Sequence, residues 1–271
     1  MNSTDKKTIH ILLPYWGDFE LLKKAVESVI AQTETNWTLL IVDDHYPSED
    51  AQKYYTKFPD KRVVYYRHKK NLGLVDNYNY ALSGTTADYC VIMGCDDIML
   101  PTYIETALKN IGDADYYQPG VQVIDKTDKV YLPAADRLKK FIRPKKQGVH
   151  SGELLAASLC HGNWTYFPSL LWKTSVLKKY TFDKDKPNTQ DLVTQLNIIC
   201  DGGSLFIDNS VTFQYRRSAD SFSSKAKNGT RFSEEDLIYN LLAKRFSDMG
   251  WNKAARAARA HITTRIHKIL S

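Results

Sequence analysis

Nowhere in the 271 residues is there a run of apolar side chains approaching the ~18–20 that a membrane-spanning helix needs. The first ten residues are polar and lack the apolar stretch of a secretory leader, which predicts a cytoplasmic protein. Cysteine is scarce: Cys90, Cys95, Cys160 and Cys200 form no Cys-x-x-Cys pair. That argues against a disulfide framework and a zinc ribbon and predicts four free thiols. Internal repeats and low-complexity linkers are missing too. None of the seven histidines sits in a recognisable nucleophile motif, so serine and cysteine catalysis lack support. What is present, 43% hydrophobic and 25% charged residues, is the composition of a folded globular chain long enough for one large domain or two modest ones.

The net charge of +6 is unevenly spread. Residues 1–224 hold 27 Lys and Arg against 27 Asp and Glu, whereas residues 225–271 hold 10 against 4. A basic C-terminal segment on a neutral body predicts a docking or partner surface rather than a protein that wraps nucleic acid.

Apolar runs alternate with helical patterns along the first half. Residues 8–13 read as a buried strand closed by Pro14. Residues 19–31 place Phe19, Leu22, Val26, Val29 and Ile30 at helical spacing behind Asp18 as N-cap. A strand at 37–42, a helix near 48–57, a strand at 62–66, a helix near 74–83 and a strand at 89–93 come next. This alternation predicts an α/β protein with a Rossmann-like, mostly parallel sheet flanked by helices. Ligands of such sheets bind beyond the carboxyl ends of the strands, where Pro14 to Asp18, Asp43 to His45 and Cys95 to Asp97 all fall. Past residue 110 the pattern is less regular: a basic patch at 139–146, helices at 151–160 and from Asp191 to Cys200, strand-like pieces at 169–172, 205–207 and 211–216, and a helical extension from about Ser233.

Two pairs of adjacent carboxylates carry the chemistry. Asp96 and Asp97 come after an apolar strand on a tight loop, where they repel each other unless a cation lies beside them; oxygen-only ligands select Mg2+ or Mn2+. Taken alone the pair also fits a solvated turn cap. Asp43 and Asp44 have the same placement on another strand. Crowding four carboxylates around one ion is costly, so separate tasks are expected, one accepting hydrogen bonds from a base or ribose and another holding metal. Asn71 and Gly73 make a turn before a helix that begins with Asn77 and Asn79, a place that offers donors to anions.

Pro14-Tyr15-Trp16, Ala31-Gln32-Thr33, Ile41-Val42-Asp43-Asp44, Asn71-Leu72-Gly73 with Asn77 and Asn79, and Cys95-Asp96-Asp97 before Met99-Leu100-Pro101 together resemble the nucleotide-binding half of family 2 glycosyltransferases of the GT-A fold, the type that builds bacterial cell-surface polysaccharide. The likeness is dense over residues 8–110. Gly162-Asn163-Trp164, Thr189-Gln190-Asp191 and Tyr215-Arg216-Arg217 resemble the acceptor half more loosely. The resemblance implies a GT-A domain over 1–224, with a nucleotide-sugar half at 1–110 and an acceptor half at 111–224, then a basic helical tail at 225–271.

By position, the resemblance implies that Pro14 and Trp16 line the base pocket and that Asp44 accepts from a uracil N–H. Asp96 contacts ribose or metal, and Asn71, Gly73 and Asn77 meet the donor. Asp97 is the metal-binding carboxylate for Mn2+ or Mg2+, although the first position of that acidic motif is Cys95 here. Asp191 is the general base, with helix capping as its structural alternative and Asp183 and Asp185 as local rivals. Arg216, Arg217 and Ser221 are candidates for a phosphate or metal contact, in a stretch where the family often has His. The implied reaction is an inverting, metal-assisted transfer of a sugar from a nucleotide-diphosphate sugar, UDP-linked, to a glycan or lipid-linked hydroxyl. A nucleotide-sugar-binding module without turnover is the alternative; nucleic-acid binding by the tail has no motif behind it.

Residues 251–270 place Trp251, Ala254, Ala255, Ala258, Ile262, Ile266 and Ile269 on one helical face with Lys253, Arg256, Arg259 and Lys268 elsewhere. That helix either lies peripherally on an anionic membrane at its inner face, near lipid-linked acceptors, or packs on the body or a second subunit as a homo-oligomer contact. Trp164, Tyr166 and Trp172 either recognise sugar hydroxyls or fill the core.

Overall fold

The structure, a computed structural model, describes residues 6–217 and 228–261, without the side chains of 228–231. Ser221 and Ile262, Ile266 and Ile269 lie outside the described residues. The described residues build one nine-stranded sheet. Its first half alternates as the periodicity predicts: β1 (Ile9–Tyr15), α1 (Phe19–Ile30), β2 (Trp37–Asp43), α2 (Asp50–Tyr55), β3 (Val63–Arg67), α3 (Leu74–Ser83) and β4 (Tyr89–Ile92). Helix α1 starts where Asp18 Oδ1 accepts the amides of Glu20 and Leu21 at 2.7 and 3.0 Å, a side-chain cap on otherwise orphaned donors. Its buried face is Leu22, Ala25, Val26 and Val29. Strands β1 and β4 are apolar nearly throughout because helices cover both faces of the sheet.

The strand order opens β3-β2-β1-β4, all parallel, so the carboxyl ends of β1, β2 and β4 lie side by side. The Asp44 amide donates to the Tyr15 carbonyl at 3.1 Å, joining the first two polar loops, and Cys95 Sγ lies 3.5 Å from where a Cβ on Gly17 would stand, which puts the third loop beside the first.

The second half is β5 (Ile98–Met99), α4 (Tyr103–Ile111), β6 (Tyr116–Ile124), α5 (Ala134–Ile142), β7 (Gly148–Ser151), α6 (Gly152–His161), β8 (Leu171–Lys173), α7 (Thr174–Leu177), α8 (Gln190–Cys200) and β9 (Ser204–Arg216). Here the sheet is mixed. β6 and β9 are parallel, but β8 runs antiparallel to β4 and β6, and β5 and β7 antiparallel to β9. The two strand-like pieces at 205–207 and 211–216 are one strand with a bulge opposite Gln118–Val121. Gly120 sits at that bulge; a Cβ there would come within 2.8 Å of the Asn209 carbonyl oxygen. Helix α5, hidden to periodicity by its dense basic residues, is an element the sequence pattern does not reveal.

Two helices, α9 (Asn228–Asp248) and α10 (Asn252–Ala260), close the described chain. They share the body's core: Ile238, Tyr239, Leu242, Phe246 and the alanines 254, 255, 257 and 258 are buried in one cluster with Leu155, Leu159 and Trp164. Over residues 252–260, of the two readings of this apolar face, packing on the protein's own body is the one observed, against α6. Trp251 stacks on Phe246, with ring centroids 6.0 Å apart. Trp164 and Trp172 are core residues at 1% and 0% exposure, and Trp172 stacks on Tyr116. Among the described residues no helix is long and apolar enough to cross a membrane, and all four cysteines are free.

Candidate active site

The acidic loop is shaped by the short strand that leads out of it. Ile98 of β5 pairs antiparallel with Gln214 of β9, and continuing that register brings Arg216 onto Asp96 and Asp97. The Arg216 amide donates to Asp97 Oδ1 at 2.8 Å, and its Nε to the Asp96 carbonyl at 2.6 Å. The rest of the guanidinium donates to the Asp125 carbonyl and pairs with the Asp128 carboxylate, each at 2.6 Å. With its side chain fully buried, Arg216 is a brace beneath the loop and not an open diphosphate ligand, which corrects the role expected for it.

Asp97 is 1% exposed. Burial, and then repulsion from Asp96, hold its carboxyl well above the ordinary range. Burial also raises Asp96, against the opposing pull of Arg216. The loop makes room for this pair at Gly94, where a Cβ would lie 2.5 Å from Asp97 Oδ2 and 3.3 Å from Asp96 Oδ1. Two crowded, partly desolvated carboxylates in a cradle that excludes a methyl group fit a hard divalent cation. Among the described residues no group of three or more His, Cys, Asp or Glu is arranged to hold a metal ion, so an ion held here would take its remaining ligands from a substrate or water.

Asp96 and Asp97 line a cleft of about 550 Å³, and Asp191 lines the same cleft together with Lys139, Asn163, Tyr166, Arg217 and Tyr239. Asp191 is not the helix cap; it is the second residue of α8, and Thr189 occupies the cap position. Its Oδ2 accepts from Asn163 Nδ2 at 2.7 Å and its Oδ1 from the Leu192 amide at 2.8 Å. Burial pushes the carboxyl up from its usual range, against those hydrogen bonds and Lys139. The Asn163 amide can face only one way. Gln195 Nε2 donates to Thr165 Oγ1, so the Thr165 hydroxyl proton goes to Asn163 Oδ1, leaving the NH2 group for Asp191. The rivals lie elsewhere: neither Asp183 nor Asp185 lines the cleft, and Asp183 is paired with Lys186.

Asp136, 1% exposed, joins the Arg217 guanidinium and the Tyr166 hydroxyl on the cleft wall, with Arg217 Nη2 at 2.9 Å and Tyr166 Oη at 2.7 Å. Burial raises its carboxyl, but these two partners outweigh that and hold it below the ordinary range.

At the ends of β1 and β2, Trp16 is half exposed and meets the edge of Tyr46, with ring centroids 5.3 Å apart. Pro14 is buried within β1 opposite Val42. Asp44 accepts the Leu72 and Gly73 amides at 2.7 and 2.9 Å and so ties down the turn carrying exposed Asn71. Gly73, at φ +89°, takes a conformation that favours glycine. Asp43 is fully buried, accepting from the Tyr46 amide and the Tyr65 hydroxyl beside Arg67. Asn77 is a correction: at 2% exposure its amide bridges the Val42 carbonyl and the His68 ring, so it pins α3 to β2 and faces no ligand.

Sequence reasoning overlooked Glu234. This residue of α9 accepts the Asn188 and Thr189 amides at 3.0 and 2.9 Å, and Asn188 Nδ2 and Thr189 Oγ1 at 2.7 Å each. The Glu234 and Thr189 partners are 45 positions apart and no local pattern announces them. One carboxylate thus fixes the turn that launches Asp191 into the cleft. Glu234→Ala is expected to lose about 2–3 kcal/mol of stability, the cost of stranding hydrogen bonds to a charged group, and to lower kcat more than donor KM. Glu234→Gln should restore most of both, because Gln Oε1 keeps three of the bonds and its NH2 pairs with Asn188 once that amide flips. Chemical denaturation and steady-state kinetics on both variants check this; an inactive Gln variant sinks the clamp.

A family model described as glycosyl transferase family 2 matches residues 10–175, more than half of the chain. An uncharacterized glycosyltransferase of Methanocaldococcus jannaschii is 25% identical over 84% of this chain and 78% of its own length. The putative colanic acid biosynthesis glycosyl transferase WcaA of Escherichia coli is 32% identical over 37% of this chain and 36% of its own length. Among solved structures, S. aureus TarS 1–349 in complex with UDP-GlcNAc superposes with a TM-score of 0.67 at 13% identity, over 87% of this chain and 66% of that one. The mannosyltransferase PcManGT of Pyrobaculum calidifontis, in complex with GDP-Man and Mn2+, gives 0.63 at 12% identity, over 97% and 76%. At such identities the structural likeness establishes the fold, which is GT-A.

Proposed function

The chain belongs to glycosyl transferase family 2, and from that membership we propose that it moves a sugar from a nucleotide-diphosphate donor, a UDP-sugar, to a hydroxyl of a glycan or lipid-linked acceptor. The observation that carries the reading is a single cleft on which a crowded carboxylate pair, Asp96 and Asp97, and a separate, hydrogen-bonded carboxylate, Asp191, both open. One site provides for diphosphate departure and the other for acceptor activation.

Trp16 over Tyr46 is the platform for the base, beside the turn held by Asp44, whose oxygens each keep a lone pair for a base N–H. Asp97, with Asp96, would hold Mn2+ or Mg2+, which when bound neutralises charge building on the leaving diphosphate. Arg216 holds the acidic loop in place, and Lys139 and Arg217 add positive potential along the cleft. Asp191 accepts the acceptor's hydroxyl proton as that oxygen bonds to the anomeric carbon; the carbon's bond to the diphosphate oxygen breaks with its electron pair leaving on the nucleotide. Attack from the face opposite the diphosphate inverts the centre. Asn163 holds the receiving carboxylate, so little reorganisation is left for the reaction itself.

A panel of UDP- and GDP-sugars, each with Mn2+, Mg2+ or chelator, tests the proposal by thermal unfolding. One UDP-sugar with metal should raise Tm by roughly 5–10 °C at 100 times its Kd, since saturation to that degree adds about 2.7 kcal/mol. Stabilisation by none of them overturns the reading. Stabilisation without nucleotide release in the presence of acceptors leaves a binding module in its place.

A further inference from the structure

Helix α5 has two faces with different business. Ala135, Leu138, Lys139 and Ile142 line the cleft. Arg137, Lys140 and Phe141, three and four positions apart, share the opposite face and are exposed, Phe141 at 80%. Residues 137–146 hold six Lys and Arg and no Asp or Glu. Arg143 is engaged with Asn209 and the Asp208 carbonyl. The ion pairs nearby belong to Lys24, Arg216 and Arg217. Arg137, Lys140, Lys145 and Lys146 have no carboxylate partner among the described residues, though Lys145 reaches the Lys140 carbonyl. Flanking α5, the chain also exposes Val130 at 57%, Leu132 at 46% and Val149 at 60%.

We propose that α5 and its flanks, from Val130 to Val149, are the surface by which the protein docks on a bilayer rich in anionic lipid. Charge complementarity selects that occupant. Unpaired cations interspersed with a fully presented phenylalanine and exposed aliphatic side chains match the headgroup and acyl boundary, where phosphate meets lysine and an apolar side chain leaves water. A soluble polyanion gives the cations a partner but gives Phe141, Val130 and Val149 nothing. The surface is distinct from the basic tail, whose apolar face over 252–260 is already buried. Docked this way, the inner face of α5 keeps the cleft mouth at headgroup level; only that consequence rests on the sugar-transfer reading.

Co-sedimentation of the full chain with vesicles tests the proposal without any turnover. Binding is expected to vesicles of phosphatidylcholine with 30% phosphatidylglycerol, and at least tenfold less to phosphatidylcholine alone or in 0.5 M NaCl. The triple change K140E/K145E/K146E should cut anionic-vesicle binding at least tenfold. Phe141→Ser should weaken it several-fold with its salt dependence retained. Both variants should keep the wild-type unfolding temperature and its rise with nucleotide sugar, which separates a docking defect from a failure of fold or donor site. Equal binding to both vesicle types, wild-type binding by the triple variant, or capture by soluble polyphosphate but not by vesicles each overturns the proposal, and each leaves the sugar-transfer reading standing.

Discussion

Replacing Asp191 with Asn is expected to leave a folded protein that binds its donor normally and turns over on the order of 10²–10⁴ times more slowly, the usual contribution of a positioned general base. Shape is conserved and the Leu192 amide keeps an acceptor; what is lost is the second basic oxygen that Asn163 orients. Two small effects on stability oppose each other. Because burial raises the Asp191 carboxyl in the folded state, ionising it detracts from stability as pH rises above the unfolded value, and at neutral pH the amide removes that cost. Against this, the new NH2 faces the Asn163 NH2 and one hydrogen bond disappears. The melting temperature should therefore stay within about 2–4 °C of wild type, the equivalent of 1 kcal/mol.

The pH profile separates a base from a structural residue. A carboxyl displaced upward places the acid limb of kcat/KM above the ordinary carboxylate range, and the residual activity of the Asn variant should lack that limb. Normal transfer by Asp191→Asn, measured as nucleotide release with acceptor present, would remove the base assignment.

The parallel half of the fold is legible in the sequence because its signals are local. Asp18 caps α1, β1 and β4 are continuous apolar runs, and each polar loop begins where a strand's apolar run stops. The acidic pair could be singled out on the same terms, whereas Asp191 is singled out by the family resemblance. What escapes is set by long-range pairing. Arg216 looks like a free cation until β5 and β9 pair and bury it under the acidic loop. Asn77 carries the polarity of a ligand residue, yet it answers a carbonyl at the end of β2. Glu234 lies in a segment that charge counting assigns to docking, yet it holds the turn before Asp191, and Tyr239 lines the same cleft as Asp191. The helices of 228–260 thus serve the site as well as the core, which no composition boundary at residue 225 conveys. Helix α5 is the converse: residues that read as an irregular basic patch are a helix because Leu138 and Ile142 find the cleft.

Asp97→Asn should reverse the protein's response to metal. In the metal-free protein Asp97 is buried beside Asp96, and both burial and that repulsion work against its charge. The amide removes the charge while its oxygen keeps the Arg216 amide as donor and its volume still fits over Gly94. Without metal the variant is therefore expected to melt higher than wild type. With Mn2+ and donor the order inverts, because wild type is stabilised by the ion and the diphosphate together and the variant keeps one carboxylate where the cradle has two. Charge stabilisation by a bound metal is worth several kcal/mol at the transition state, and each 1.36 kcal/mol is tenfold in rate, so turnover should fall about 10³-fold or more. Thermal unfolding in chelator and in Mn2+ with donor, alongside single-turnover transfer, reads both arms. A variant that melts lower than wild type in chelator would mean that Asp97 is held as a structural anion by Arg216, and the acidic loop would then be a brace for β9 and not a seat for a cation.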